Sequence, residues 1–99
     1  MLNSKQRAIL KSEASKMDAV FQIGKGGLGE QMIKSVSDAL EAKESIKLSV
    51  LDNSDEDARE AAGELAYATG SEVVTIIGRK IILFKVSSKP NKRKISTLI

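Results

Sequence analysis

Two rhythms of hydrophobic residues run along this chain. From Glu30 to Lys43, Ile33, Val36 and Leu40 recur at helical spacing with Met32 and Ala39 beside them, which predicts an amphipathic helix. From Ile46 to Leu51 the rhythm shortens to strict alternation, with Ile46, Leu48 and Val50 on one face and Lys47 and Ser49 on the other. That is the pattern of a half-buried strand. The apolar run Val20–Ile23 predicts an earlier strand. Strand, helix and strand in this order imply a parallel pair with a right-handed crossover. Nearer the N-terminus, Leu10, Ala14 and Met17 share a face, with Ile9 alongside, and predict a helix to about Met17. Asn3 or Ser4 can cap it. Its stripe is modest, so it is expected to lie across another layer rather than nucleate the core.

Ser54 reads as the N-cap of a third helix, with Asp57 three residues on in the capping-box position. Asp55, Glu56 and Asp57 would fill the first turn, where the helix dipole favours acids. Ala58, Ala61, Ala62, Leu65 and Ala66 make the buried stripe, and Gly70 the stop. Val73–Ile77 and Lys80–Val86 predict two strands joined by Gly78-Arg79, a loop opening with glycine that fits a type II′ hairpin. Val74 and Ile76 would take one face of the first strand, Val73 and Ile77 the other. In the second, Ile81 and Leu83 oppose Ile82 and Phe84. Strands apolar on both faces need a layer on each. The second and third helices supply one layer and the first helix part of the other. Residues 87–99 hold Pro90 and a basic cluster and read as an extended or flexible tail, leaving 1–86 as the domain. The fold expected is α/β of the α+β kind, α-β-α-β-α-β-β, with a four-stranded mixed sheet packed with helices.

At 99 residues the chain is one domain, able to hide roughly two-thirds of its unfolded surface. Hydrophobic residues at 41% and charged ones at 29% favour folding over disorder. Cysteine and histidine are absent, which excludes disulfides, thiol catalysis, histidine acid–base chemistry and zinc sites built on those ligands. No catalytic set is visible, so an enzyme is not expected. No apolar stretch is long enough to span a membrane and the N-terminus has no signal-peptide core. A soluble, cytoplasmic protein without a membrane partner is the expectation. The net charge of +3 conceals an asymmetry. From Asp52 to Glu72 the acids face only Arg59, whereas from Val73 to Ile99 there are seven cations, Arg79, Lys80, Lys85, Lys89, Lys92, Arg93 and Lys94, and no acid. Such sorting suggests one face built for a polyanion. The acidic run Asp52–Asp57 lacks the alternate ligands and central glycine of a calcium loop, so capping and solvation explain it and no metal is expected.

Between the first strand and second helix lies Gly24-Lys25-Gly26-Gly27-Leu28-Gly29. So many glycines are costly in backbone entropy unless the chain must turn sharply or let something approach its bare backbone. A strand, a glycine loop with one lysine and a helix start make a seat for phosphate. The segment matches the dinucleotide fingerprint G-x-G-x-x-G, with Asp52 ending the next strand. The chain is too short for both nucleotide-binding halves and a substrate domain, and a lysine inside that loop is unusual. A Gly-Lys-Ser/Thr nucleotide-hydrolase motif is absent. A plain turn would need only one glycine. Read instead as G-x-x-G, Gly24-Lys25-Gly26-Gly27 fits a loop that grips a nucleic-acid backbone. Only Phe21, Tyr67 and Phe84 are aromatic, and both phenylalanines lie in apolar strands. Phosphate and 2′-hydroxyl contacts should therefore outweigh base stacking. A small nucleotide-binding module using the same loop, and an adaptor using the acidic third helix, are the alternatives.

Through Lys5-Gln6-Arg7, Ile23-Gly24-Lys25-Gly26-Gly27-Leu28, Ala39-Leu40, Glu44, Ile46-Lys47, Thr69-Gly70, Ile77-Gly78-Arg79-Lys80, Leu83-Phe84 and Lys94-Ile95-Ser96, the chain resembles the CRM family (chloroplast RNA splicing and ribosome maturation), in particular its YhbY-like single-domain members. The resemblance implies a fold similar to the C-terminal domain of translation initiation factor three. It also implies binding of structured RNA through the G-x-x-G loop, and association with ribosomal RNA in precursors of the large ribosomal subunit. No cofactor or small-molecule substrate is implied. The RNA-binding residues expected are Gly24, Lys25, Gly26 and Gly27, extended by Arg79, Lys80, Lys92, Arg93 and Lys94, with Lys5, Arg7, Lys11 and Lys47 as weaker contributors. Two departures stand out: Asp18-Ala19 where members often carry proline before the first strand, and Gly29 where they usually have Thr or Ser. A glycine cap is only a few tenths of a kcal/mol worse, which predicts a looser loop end.

Overall fold

The computed structural model describes residues 2–24, 26–52 and 57–99. Its elements keep the expected order: α1 Ser4–Ala14, β1 Phe21–Ile23, α2 Glu30–Lys43, β2 Ser45–Val50, α3 Ala58–Thr69, β3 Glu72–Ile77 and β4 Lys80–Phe84. The strands form one four-stranded sheet in the order β1-β2-β4-β3. β1 and β2 run parallel, and β4 is antiparallel to both β2 and β3. This is the mixed-sheet α+β fold that the pattern predicts.

Local chemistry sets the helix ends. Asn3 caps α1: its side chain accepts from the Gln6 N–H at 2.8 Å, and the Gln6 side chain accepts from the Asn3 N–H at 3.0 Å. That reciprocal pair satisfies two backbone donors the helix leaves over. α3 starts later than expected, with Asp57 as the N-cap accepting from the Glu60 N–H at 2.8 Å. Ser54, the residue read as the cap, lies outside the described residues, as do Asp55 and Glu56. Asp and Ser cap about equally well, so residue type alone does not choose between them. Gly70 closes α3 at φ +70°, the left-handed conformation such an end requires.

The sheet is covered on both faces. On one, α2 and α3 press Val36, Leu40, Ala61, Ala62 and Leu65 onto Ile23, Ile46, Leu48, Val50, Ile81 and Leu83. On the other, Leu10 and Ala14 of α1 meet Val74, Ile82 and Phe84. Strand β4 alternates cleanly between the two, as expected. Strand β3 does not. Val73 pairs with Leu83 and Thr75 with Ile82, so one extra residue, Val74, is inserted between them as a bulge. An inserted residue reverses the two-residue alternation beyond it. Val73 and Ile76 therefore share the α2/α3 face, Val74 faces α1, and Ile77 is 65% exposed. This corrects the expected pairing of Val74 with Ile76. The β3–β4 turn has Gly78 at φ +60° while Arg79 keeps a negative φ, as a type II′ hairpin demands.

The C-terminal segment, read as an extended or flexible tail, is docked. It makes two short 3-10 turns, Pro90–Lys92 and Ser96–Leu98, and sends Ile95 and Ile99 into the cluster beneath α1. Glu44 holds it there. This residue ends α2 at φ +66°, where glycine is the usual occupant, and its side chain is fully buried. Its carboxylate accepts from the backbone N–H groups of Ser87 at 2.8 Å, Lys94 at 3.0 Å and Ser96 at 3.0 Å. One turn back, Glu41 accepts from the Ser88 N–H at 2.9 Å and from both serine hydroxyls. Two carboxylates on α2 thus supply acceptors for a segment that has no strand partner of its own.

Candidate functional site

The glycine turn sits past the end of the sheet. Ile23 pairs with Val50, and the Leu51 N–H donates to the Ile23 carbonyl at 2.9 Å, so the chain leaves β1 where β2 also ends. The Gly27 N–H then donates to the Gly24 carbonyl at 3.1 Å, the bond that closes a β-turn. Gly26 has φ +97° and Gly27 φ +64°, conformations that a side chain would strain. At Gly26 a Cβ would meet no atom of the described residues within 4 Å, chain neighbours aside. Among the described residues nothing covers the main chain on that side, and Gly26 is exposed. Leu28 packs partly against the core and fixes where the turn comes back. Lys25 lies outside the described residues.

Gly29 is the N-cap of α2 and offers no side-chain acceptor to its first turn. The leading N–H groups of the helix keep their partial positive charge for an incoming anion. Glu30, in that same turn, offsets part of the attraction. The arrangement can seat one phosphate, from backbone donors, against a turn left open at Gly26 by the described residues.

Only two of the other expected residues come to this end. The Val50 N–H donates to the Arg79 carbonyl at 2.8 Å and Lys80 stands opposite Ser49, which sets the hairpin beside the exit of β1. Arg79 is paired with Asp52 across the surface, and the two side chains are 59% and 93% exposed. A pair so exposed is worth roughly 0–1 kcal/mol, so a phosphate can displace Asp52 at little cost.

Three of the expected residues are fasteners instead. Arg7 reaches from α1 to the bulge of β3, donating to the Val73 and Val74 carbonyls at 2.8 Å each and pairing with Glu72 at 2.9 Å. Those carbonyls lie on an edge strand whose ladder the bulge has disrupted, and the guanidinium satisfies them both. Lys47 donates to the Met17 carbonyl at 2.9 Å, and Arg93 Nε to the Ser87 carbonyl at 2.7 Å. Lys5, Lys11, Lys92 and Lys94 are exposed and have no side-chain partner among the described residues. Lys5 and Lys11 lie on α1. Lys92 and Lys94 are held near Ser45, the opposite end of β2 from the glycine turn, about 16 Å away along the strand.

Sequence reasoning gave no role to Glu41 or to Glu44, which it quoted only among the residues that carry the family resemblance. Burial of the Glu44 carboxylate is the largest single influence on it and pushes its pKa up, but hydrogen bonds from the Ser96 and Ser87 N–H groups, the Ser96 hydroxyl and the Lys94 N–H together hold it below the ordinary value. Glu41 is also held down, chiefly by its bonds from Ser88. The available signal was a glutamate, not a glycine, directly between a helix and a strand.

Comparison with known proteins places this geometry. Residues 2–85 match the sequence model of the CRS1 / YhbY (CRM) domain. The chain is 45% identical over 93 residues to "Probable RNA-binding protein YqeI" of Bacillus subtilis, covering 94% of this chain and 96% of that one. It is 32% identical over 102 residues to "Probable RNA-binding protein MJ0652" of Methanocaldococcus jannaschii, covering 93% and 75%. Among solved structures, the solution structure of the hypothetical protein SAV1595 from Staphylococcus aureus superposes with a TM-score of 0.76 at 44% identity, covering 95% of this chain and 98% of that one.

Proposed function

Because the chain belongs to the CRS1 / YhbY (CRM) domain family, we propose that it is a non-catalytic RNA-binding protein of the cytoplasm that grips the sugar-phosphate backbone at its glycine turn. One observation carries this reading: the main chain at Gly26 and Gly27 is bent into conformations suited to glycine, open at Gly26, and followed by a helix start without a side-chain cap. Phosphate contact falls to Lys25 and the first N–H groups of α2, with Arg79 and Lys80 at the same end of the sheet. The names of the B. subtilis and M. jannaschii relatives agree with RNA as the ligand. The finer target is ribosomal RNA within a large-subunit precursor, where a phosphate-gripping protein with few exposed rings would recognise folded RNA by shape.

The test is fluorescence anisotropy with structured ribosomal RNA fragments across a salt series. Affinity should fall linearly with log salt, with a slope near 0.7–0.9 per phosphate neutralised. Gly26→Asp should weaken binding about tenfold, since it sets a carboxylate where a charge-assisted bond to phosphate belongs. A flat salt series, or unchanged affinity in a folded Gly26→Asp protein, refutes the RNA reading. Gradient fractionation of cells tests the ribosomal part separately: the protein should travel with large-subunit precursors and not stay at the top.

A further inference from the structure

At the end of the sheet away from the glycine turn, the docked C-terminal segment roofs a cleft of about 340 Å³. Met17, Ala42 and Ile95 give it aliphatic walls, and Lys43, Lys92 and Lys94 stand around it. No carboxylate lines it among the described residues; Asp18 belongs to an adjoining hollow on one side, Asp38 and Glu41 to one on the other. Ser45 lines the cleft and the adjoining hollow beside Met17. Its hydroxyl is buried and has no hydrogen-bond partner among the described residues. A buried hydroxyl normally finds a partner, and one left without calls for an explanation. Asn91 adds an amide able both to donate and to accept.

Resting on the RNA-binding reading, we infer that this cleft takes one unpaired nucleotide of the bound RNA. Its chemistry divides as a nucleotide does. The aliphatic walls accept the flat faces of a base. Asn91 and Ser45 offer polar partners to its edge. The lysines carry the phosphate at the rim. The phosphate belongs at the rim because α2 ends here, and the C-terminal pole of a helix repels an anion. With the glycine turn at the other end of β2, the protein contacts RNA at two places about 16 Å apart along the strand, one blind to the base and one that needs it flipped out.

The experiment uses the full chain, labelled with 15N, and two RNA hairpins that differ by a single bulged nucleotide. Adenosine monophosphate should shift the amides of Ala42, Ser45 and Ile95, while inorganic phosphate at equal concentration should not. The bulged hairpin should bind about fivefold more tightly than the paired one, the worth of about one buried hydrogen bond plus its contacts. Ser45→Ala and Ala42→Leu should each erase that preference and leave affinity for the paired hairpin unchanged. Ser45→Ala should not lower the urea midpoint, because it removes a hydroxyl that lacks a partner among the described residues. Equal shifts from phosphate and from the nucleotide overturn the inference, as does equal binding of both hairpins, which leaves the glycine-turn reading intact. Failure to bind either hairpin removes both readings together.

Discussion

Replacing Glu44 is the sharpest test of how this fold is held. In Glu44→Ala three backbone donors lose a charged acceptor: Ser87 in a buried place, Lys94 and Ser96 in partly buried ones. An orphaned buried donor costs about 1–3 kcal/mol, and partly buried ones that water can reach about 0.5–1 each. The sum is a loss of roughly 2–5 kcal/mol, a large share of the ~5–15 kcal/mol a domain has. Glu44→Gln should cost less, about 1–2 kcal/mol. One amide oxygen can still serve Lys94 and Ser96, but the NH₂ then faces the Ser87 donor. Glu44→Gly should recover about 1 kcal/mol relative to alanine, because φ +66° suits glycine and strains any residue with a Cβ. Urea unfolding measures all three, and hydrogen exchange at the Ser87, Lys94 and Ser96 amides shows whether the C-terminal segment opens first. If Glu44→Ala shifts stability by less than about 0.5 kcal/mol and those amides stay protected, the carboxylate is not the anchor.

Other outcomes follow from the same contacts. The pKa of Glu44 is depressed in the folded state from an ordinary 4.5, so the unfolded chain binds more protons just below that pH. Its stabilisation is complete above the unfolded value and is lost as pH falls through the folded one, so urea midpoints should drop below about pH 4.5 and drop less in Glu44→Gln. Arg7→Ala should lower stability by about 1–2 kcal/mol through the two orphaned carbonyls of the bulge, with the partly exposed ion pair adding little, and should leave the salt slope of RNA binding nearly unchanged. Lys80→Ala should do the opposite, reducing that slope by about 0.7–0.9 with the urea midpoint unmoved. Deleting 87–99 should destabilise more than Glu44→Ala, since it removes the same three hydrogen bonds and also strips Ile95 and Ile99 from the α1 cluster.

The sequence by itself determined what depends on neighbours a few residues away. The order of elements, the inward faces of α2 and β2, the Gly78 turn and the glycine bend before α2 all follow from local periodicity and from the conformations glycine alone takes easily. The two-faced burial of β4 also announced that a second layer must exist. Tertiary structure decided the rest. At the Val74 bulge, Arg7, 67 residues away, satisfies the carbonyls that the irregularity leaves over. Arg7 and Lys47 look like surface cations in the sequence but are engaged by distant carbonyls, and Arg93 by the nearer Ser87 carbonyl within the docked segment. Glu44 looks like a misplaced helix end until Ser87, Lys94 and Ser96 arrive from 43, 50 and 52 residues on. Periodicity records which side of an element is buried, whereas a hydrogen bond to a remote backbone group leaves no period behind it.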